Sequence, residues 1–408
     1  VTTELEQIRI DTSDLAVGMF VCGLDRPWEE TQFPLQGVEV RSEDDVRALR
    51  ELCKFVYIDR RRELPGGHRR LLTLARGDRS EKRFLRGAVY TDAIHVPEEV
   101  PKARAALAAT CELLDRIYAD VASGRELSVE YVEQVVRPLV ASVLRSADAF
   151  LFLEGMRKHD NYTYSHAIGC GALAAAFGRH LGLPEDTILS LATGGLLMDV
   201  GKTRLPERLL KHVGPLWPRE LETVRTHVEL GLEVVQGGGI QDPDVLDAVR
   251  THHERYDGSG YPDHLAGDAI PMAGRMLAII DSYDAMCSVR PHRAAVPRHK
   301  AMQEIYRARD RLYQAELVEQ FQVCLGVYPT GSRVELTSGE VAVVMEQNLV
   351  RRLRPTVLVI SSPDKQPLEK FRVLDLLNQP DAGNRVEIAR ALAIDDYDID
   401  TAGFLAGA

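Results

Sequence analysis

Thr251-His252-His253-Glu254-Arg255-Tyr256-Asp257-Gly258-Ser259-Gly260-Tyr261-Pro262 sets two adjacent histidines and a carboxylate directly before a glycine-punctuated turn. Histidine is the commonest metal ligand in proteins, and paired imidazoles suit transition metals. A turn that brings backbone N–H groups and a tyrosine beside such a metal places a phosphate on it. The segment predicts metal-assisted phosphate chemistry and sends the search for further ligands to the rest of the chain.

Ten of the twelve histidines lie between His159 and His299, which confines the search. His166 begins an apolar stretch that runs through Ala174-Ala175-Ala176, and His227 lies in Arg225-Thr226-His227-Val228-Glu229. A lone histidine in such a setting is more often a cap or a core residue than a ligand. Asp199, in Leu196-Leu197-Met198-Asp199-Val200-Gly201-Lys202, and Asp281, in Ile279-Ile280-Asp281-Ser282, point more directly to a metal. A carboxylate among aliphatics costs several kcal/mol unless it is paired or metal-bound.

Around these residues the periodicity is helical. Leu107, Leu113, Leu114, Ile117 and Val121 mark one apolar stripe, and Val132, Val135, Val136, Leu139, Val140 and Val143 another. Before them, short strands at Ile8–Ile10, Met19–Cys22 and Phe55–Asp59 flank a helix capped by Ser42. Arg60, Arg61, Arg62, Arg69, Arg70, Arg76 and Arg79 then crowd around Pro65-Gly66-Gly67 and read as a solvated linker. After the helices, Arg333–Leu336, Val341–Met345 and Thr356–Ile360 read as an antiparallel β-unit, and the tail around Asp395–Asp400 as acidic and frayed.

The expected fold is therefore mainly α. It comprises a small α+β module over 1–62, a basic linker over 63–100, a helical connector over 101–149, the histidine-bearing helical domain over 150–325, and a β-rich unit with its acidic tail over 326–408. At 408 residues several domains are expected, and 45% hydrophobic with 27% charged residues is a globular composition. A net charge of −11 argues against a nucleic-acid polymer as partner. No apolar run is long enough to span a bilayer, and Val1-Thr2-Thr3-Glu4 lacks the features of a signal peptide. The six cysteines are scattered without a CxxC pair, so a reduced, cytoplasmic setting is expected.

The order His166, Asp199-Val200-Gly201-Lys202, His227, His252-His253-Glu254, Asp257-Gly258-Ser259-Gly260-Tyr261-Pro262, Asp281 and Arg290-Pro291-His292-Arg293 resembles the HD-GYP family. These are bacterial phosphodiesterases of the HD metallohydrolase superfamily that hydrolyse cyclic di-GMP. Leu15-Ala16-Val17-Gly18-Met19-Phe20-Val21 and Leu24-Asp25-Arg26-Pro27-Trp28 resemble the module of unknown function that often precedes that domain. The resemblance implies an all-helical HD-type domain with two divalent ions. Iron or manganese is expected, with magnesium, nickel and zinc as the other candidates.

It implies that Asp199 bridges the metals, with His166 and Asp281 on one and His227, His252 and His253 on the other. A hydroxide held by the metals would attack phosphorus and open cyclic di-GMP to pGpG and onward to GMP. Lys202 would neutralise the phosphate, Tyr261 would line the pocket, and Arg290 and Arg293 would supply forked donors to the nucleotide. One departure stands out: the histidine of the name-giving His-Asp pair is Met198 here. A thioether is a poor ligand for hard cations, so one metal loses an imidazole. A second is Tyr162, which occupies the position of a third-metal glutamate, so two metals are the expected maximum. The alternative reading is a degenerate module that binds cyclic di-GMP, or a diguanylate cyclase partner, without turnover. A homodimer through the apolar stripes before residue 150 is a further expectation.

Overall fold

The computed structural model describes residues 7–25, 38–40, 42–59, 88, 90–156, 162–212, 214–288, 295–348, 351–379, 385–394, 396–397 and 399. The chain divides into two compact units, Val1–Arg86 with Asn348–Arg354 and Gly87–Gln347 with Pro355–Ala408.

In the first unit, strands β1 (Gln7–Asp11), β2 (Phe20–Leu24), β3 (Val38–Glu39) and β4 (Phe55–Asp59) form an antiparallel sheet in the order β1-β4-β2-β3. Helix α1 (Glu43–Leu52) starts at a reciprocal cap. The Asp45 N–H donates to Ser42 Oγ at 3.2 Å, and the Ser42 N–H donates to the Asp45 carboxylate at 2.9 Å, satisfying two of the donors that a helix start leaves open. Val46 and Leu49 of the helix pack with Val21, Val56 and Ile58 of the sheet in one apolar core. The basic stretch from Arg60 onward lies outside the described residues.

The second unit is mainly helical. Helix α2 (Val96–Ala122) begins within the stretch expected as linker, because Pro97 at its first turn needs no hydrogen-bonded N–H. Helix α3 (Val129–Arg145) packs against it. Leu107, Leu114, Ile117 and Val121 of the first stripe are buried with Val132, Val135, Val136, Leu139, Val140 and Val143 of the second. Both stripes are consumed in the chain's own core, which removes the reason for expecting a homodimer through them.

The same core continues through α4 (Ala149–Met156), α5 (Tyr162–His180), α6 (Glu185–Leu197), α9 (His227–Gly237), α10 (Pro243–Thr251), α11 (Met272–Cys287), α12 (Arg298–Arg307) and α13 (Ala315–Leu325), while the short helices α7 (Glu207–Leu210) and α8 (Pro218–Arg225) lie outside it. A short 3-10 turn (Val200–Arg204) follows α6.

Strands β5 (Arg333–Leu336), β6 (Val341–Glu346), β7 (Thr356–Ser361), β8 (Pro367–Asp375) and β9 (Ile388–Leu392) form an antiparallel sheet in the order β8-β7-β6-β5-β9. Strands β8 and β9 go beyond the three expected from sequence. Strand β8 is an edge strand with mostly solvated side chains, so its charged sequence carries no buried alternation. Alternation in β6 divides the sheet's two faces. Val341, Val343 and Met345 join the helical core, whereas Ala342 and Val344 pack with Val334, Val357 and Val359. The acidic tail is not frayed where it is described. Ile399 is buried in the helical core, and Arg333 donates to the Tyr397 carbonyl at 3.0 Å.

Candidate metal centre

Five helical elements converge on one buried point. Asp199 sits between α6 and the 3-10 turn, His166 on α5, His227 at the start of α9, His252 and His253 at the end of α10, and Asp281 on α11. The turn bearing Asp199 lies directly on α9 because Gly201 has no side chain. A Cβ there would stand 2.0 Å from the His227 carbonyl and 2.4 Å from the Gly231 nitrogen. Any larger residue would push Asp199 away from the histidines.

The two Asp199 oxygens face opposite halves of the site. Oδ2 lies 2.5 Å from Lys202 Nζ and 3.8 Å from His166 Nε2, and Oδ1 lies 3.4 Å from His227 Nε2 and 3.8 Å from His252 Nε2. Asp281 Oδ1 is 3.1 Å from His166 Nε2, and its Oδ2 is 3.7 Å from His253 Nδ1. The structure thus brings together His166, Asp199, Lys202, His227, His252, His253 and Asp281. Arg290, His292 and Arg293 lie outside the described residues. Met198 is completely buried in the helical core.

Hydrogen bonds behind the site fix how the imidazoles face. His227 Nδ1 bonds the Val224 carbonyl at 2.7 Å, and His252 Nδ1 bonds the Val249 carbonyl at 2.8 Å. A carbonyl only accepts, so both Nδ1 atoms carry the proton and both Nε2 atoms present lone pairs. Those two lone pairs meet at 3.5 Å, while Asp199 Oδ1 is buried with no hydrogen-bond partner. Asp199, His227, His252 and His253 each offer a ligand atom within 4.8 Å of the others. Clustered lone pairs and an orphaned carboxylate oxygen, all without a proton between them, fit a cation.

Protonation agrees with that fit. Burial pushes His227 down to about 4 and His253 well below its usual value, so both stay neutral. Burial also acts to raise Asp199, but the opposing effects, led by the charge of Lys202, outweigh it and hold the carboxyl well below its usual range. For Asp281 the same burial is outweighed chiefly by the His166 hydrogen bond. Neutral imidazoles with ionised carboxylates are the state in which such groups bind metal.

Asp284, Cys170 and Arg225 escaped the sequence reading. Asp284 Oδ2 bonds His166 Nδ1 at 2.8 Å, directing Nε2 towards Asp199 and Asp281. Its signal was the three-residue spacing from Asp281, which puts both on one helix face. Gly169 makes room for it, since a Cβ there would stand 2.5 Å from Asp284 Oδ1. Cys170 Sγ lies 3.7 Å from His166 Nδ1, but burial pushes its thiol up to about 12, and a protonated thiol is a poor ligand.

Glu254 is wholly buried, and its carboxylate accepts the Asp263 N–H at 2.8 Å and the Leu265 N–H at 3.1 Å. It thereby ties the two ends of the glycine-rich turn. Within that turn Asp257 accepts from the Ser259 N–H at 3.0 Å, and Gly258 takes a positive φ of 78°. The turn lays the Tyr261 ring on His253, centroids 4.7 Å apart, and 6.4 Å from His227. Burial, together with the Asp199 and Asp281 charges, raises the Tyr261 phenol, which remains a donor. Arg225 places its guanidinium 4.8 Å over the same ring.

Among the described residues no helix is long and apolar enough to cross a membrane. The family model of the HD domain matches residues 140–317, and that of a domain of unknown function, DUF3391, matches residues 7–132. A cyclic di-GMP phosphodiesterase of Pseudomonas aeruginosa is 31% identical over 387 residues, covering 90% of this chain and 88% of that protein. A cyclic di-GMP phosphodiesterase of Thermotoga maritima is 34% identical over 163 residues, 40% of this chain and 44% of that protein. A 3'3'-cGAMP-specific phosphodiesterase of Vibrio cholerae is 33% identical over 154 residues, 38% of this chain and 29% of that protein. The motif order, the converging side chains and a relative matched along nearly its whole length agree, and the chain belongs to the HD-GYP family of cyclic di-GMP phosphodiesterases, its HD domain preceded by a DUF3391 module.

Proposed function

We propose that this chain hydrolyses cyclic di-GMP to pGpG, and onward to GMP, at a centre of two divalent ions. The observation that carries the reading is the orientation of Asp199, whose Oδ2 faces His166 and whose Oδ1 faces His227 and His252, with Asp281 beside His166 and His253 clustered with the other two histidines. Asp199 would be shared between the ions, His166 and Asp281 would complete one set, and the three remaining histidines the other. Bound there, the ions supply Lewis acidity for the phosphoryl oxygens and for the attacking water.

The chain's own groups do the rest. Lys202 holds Asp199 and sets a positive charge beside the centre, where it would meet a phosphodiester. Tyr261 keeps its phenolic proton and offers it as a donor to the substrate. By the family resemblance, Arg290 and Arg293 would supply forked donors to the nucleotide. The hard oxygen and nitrogen donors favour iron or manganese over softer ions.

Binding without turnover is the second reading, and one observation favours it. Met198 stands where an imidazole would strengthen the set around His166, and it is packed into the apolar core. The discriminating experiment incubates the chain with Mn²⁺ or Fe²⁺ and either cyclic di-GMP or 3'3'-cGAMP, and separates products by chromatography. Formation of pGpG from cyclic di-GMP is expected. Tight binding of cyclic di-GMP with no product supports the effector reading, and turnover of 3'3'-cGAMP alone reassigns the substrate.

A further inference from the structure

The Arg225 guanidinium is an exposed cation at the rim of the metal centre, and nothing in the roles above uses it. It ends helix α8, two residues before His227, and lies 4.8 Å over the Tyr261 ring. That ring in turn stacks on His253 at 4.7 Å, with 28° between the planes. The guanidinium is thus tied to the metal-ligand cluster by ring contacts rather than by hydrogen bonds. Among the described residues its N–H groups meet no acceptor.

Among the described residues, Lys202 and Arg255 are already engaged. Lys202 bonds Asp199 at 2.5 Å, and Arg255 donates to the His252 carbonyl at 3.2 Å and the Glu254 carbonyl at 2.9 Å. A guanidinium resting on an aromatic face keeps its in-plane donors available, and their fork matches two oxygens of a phosphate. The stack also reduces the side-chain freedom that binding would otherwise remove.

A cyclic dinucleotide carries two phosphodiesters. One must lie at the metal centre to be cleaved, which leaves the other charged and in need of a partner. We infer that Arg225 takes the phosphodiester that is not under attack, making it a determinant of preference for cyclic dinucleotides over simple phosphodiesters. This rests on the function proposed above.

The test measures kcat and KM for cyclic di-GMP, and kcat/KM for bis(p-nitrophenyl) phosphate, which has a single phosphodiester. In Arg225→Ala, KM for cyclic di-GMP is expected to rise about tenfold with little change in kcat, so the ratio of the two kcat/KM values falls about tenfold. Arg225→Lys keeps the charge without the fork and should fall between. An equal loss on both substrates would show that Arg225 merely supports Tyr261, and unchanged kinetics would likewise overturn the inference. If the wild-type chain binds cyclic di-GMP without turnover, the same comparison is read as Kd by calorimetry. There a tenfold weakening in Arg225→Ala supports the assignment and an unchanged Kd overturns it. A wild-type chain that neither hydrolyses nor binds cyclic di-GMP overturns the function and this inference together.

Discussion

His227 and His252 point their Nε2 atoms at each other across 3.5 Å, each donating its Nδ1–H to a carbonyl of the preceding turn, Val224 and Val249. Two lone pairs at that distance repel unless a cation lies near both. The pair is reached by Asp199 Oδ1, which has no other partner. This arrangement is most stable with a metal present, and it frames the first prediction.

Asp199→Asn is expected to lower bound metal sharply and to reduce kcat for cyclic di-GMP on the order of 10²-fold or more, because one oxygen is replaced by an amide N–H₂ that cannot ligate. Elemental analysis alongside kinetics checks it. Full metal content with normal turnover in the variant would remove Asp199 from the centre.

Met198→His restores the doublet that the family usually carries. Without metal, the buried imidazole is expected to destabilise the fold by about 1–3 kcal/mol, since it enters a fully apolar position. With Mn²⁺ or Fe²⁺, metal content should rise towards two per chain, with activity unchanged or raised. Thermal melts with and without metal, read against kcat, follow both effects.

Gly260→Ala should disrupt the glycine-rich turn that carries Tyr261. A Cβ there would lie 2.4 Å from the Arg255 nitrogen and 2.4 Å from the Glu254 Cα, both backbone atoms that cannot swing aside. A loss of at least about 1–3 kcal/mol is expected, as for overpacking in general, together with a higher KM through displacement of Tyr261. A melt and a KM close to wild type would show that the turn has slack.

Asp148 gives a pH dependence remote from the metal centre. It accepts from Thr330 Oγ1 at 2.6 Å and from the Gln347 N–H at 2.7 Å, linking α4 to the C-terminal sheet, and burial pushes its carboxyl up to about 6. A folded-state pKa above the unfolded value means that the native state holds the proton longer. Stability from this group is therefore fully present below the ordinary carboxylate range near pH 4 and lost as pH rises to about 6, with a ceiling of about 3 kcal/mol. Urea unfolding at pH 4, 5, 6 and 7 should show that decline superimposed on other titrations. Asp148→Asn should flatten it, and an identical slope in the variant would assign the decline elsewhere.

Much of this protein was legible in its residues. The helical stripes at Leu107–Val121 and Val132–Val143, the Ser42 cap and the strands at Val341 and Thr356 follow from periodicity and local hydrogen bonding, which depend on near neighbours alone. Strand β8 did not, because an edge strand exposing charged side chains has no buried alternation to reveal it. Asp199, Asp281 and the His252-His253 pair stood out as polar groups that need partners, whereas His166 and His227 were singled out by the order they share with the HD-GYP family.

Which partner each one meets was decided by tertiary packing. Asp284 reaches His166 only because Gly169 leaves the space, and Asp199 spans two histidine groups only because Gly201 lets its turn lie on α9. Arg225 shows no signal in sequence beyond being one of many arginines, and it gains a role by ending its helix above Tyr261. The sequence by itself determined the chemistry, since histidines, carboxylates and a glycine-rich turn in this order suit few tasks other than metal–phosphate work. Only the tertiary structure decided the division of that chemistry among residues, because the partners that complete it, such as Asp284 for His166, lie as far as 118 positions away along the chain.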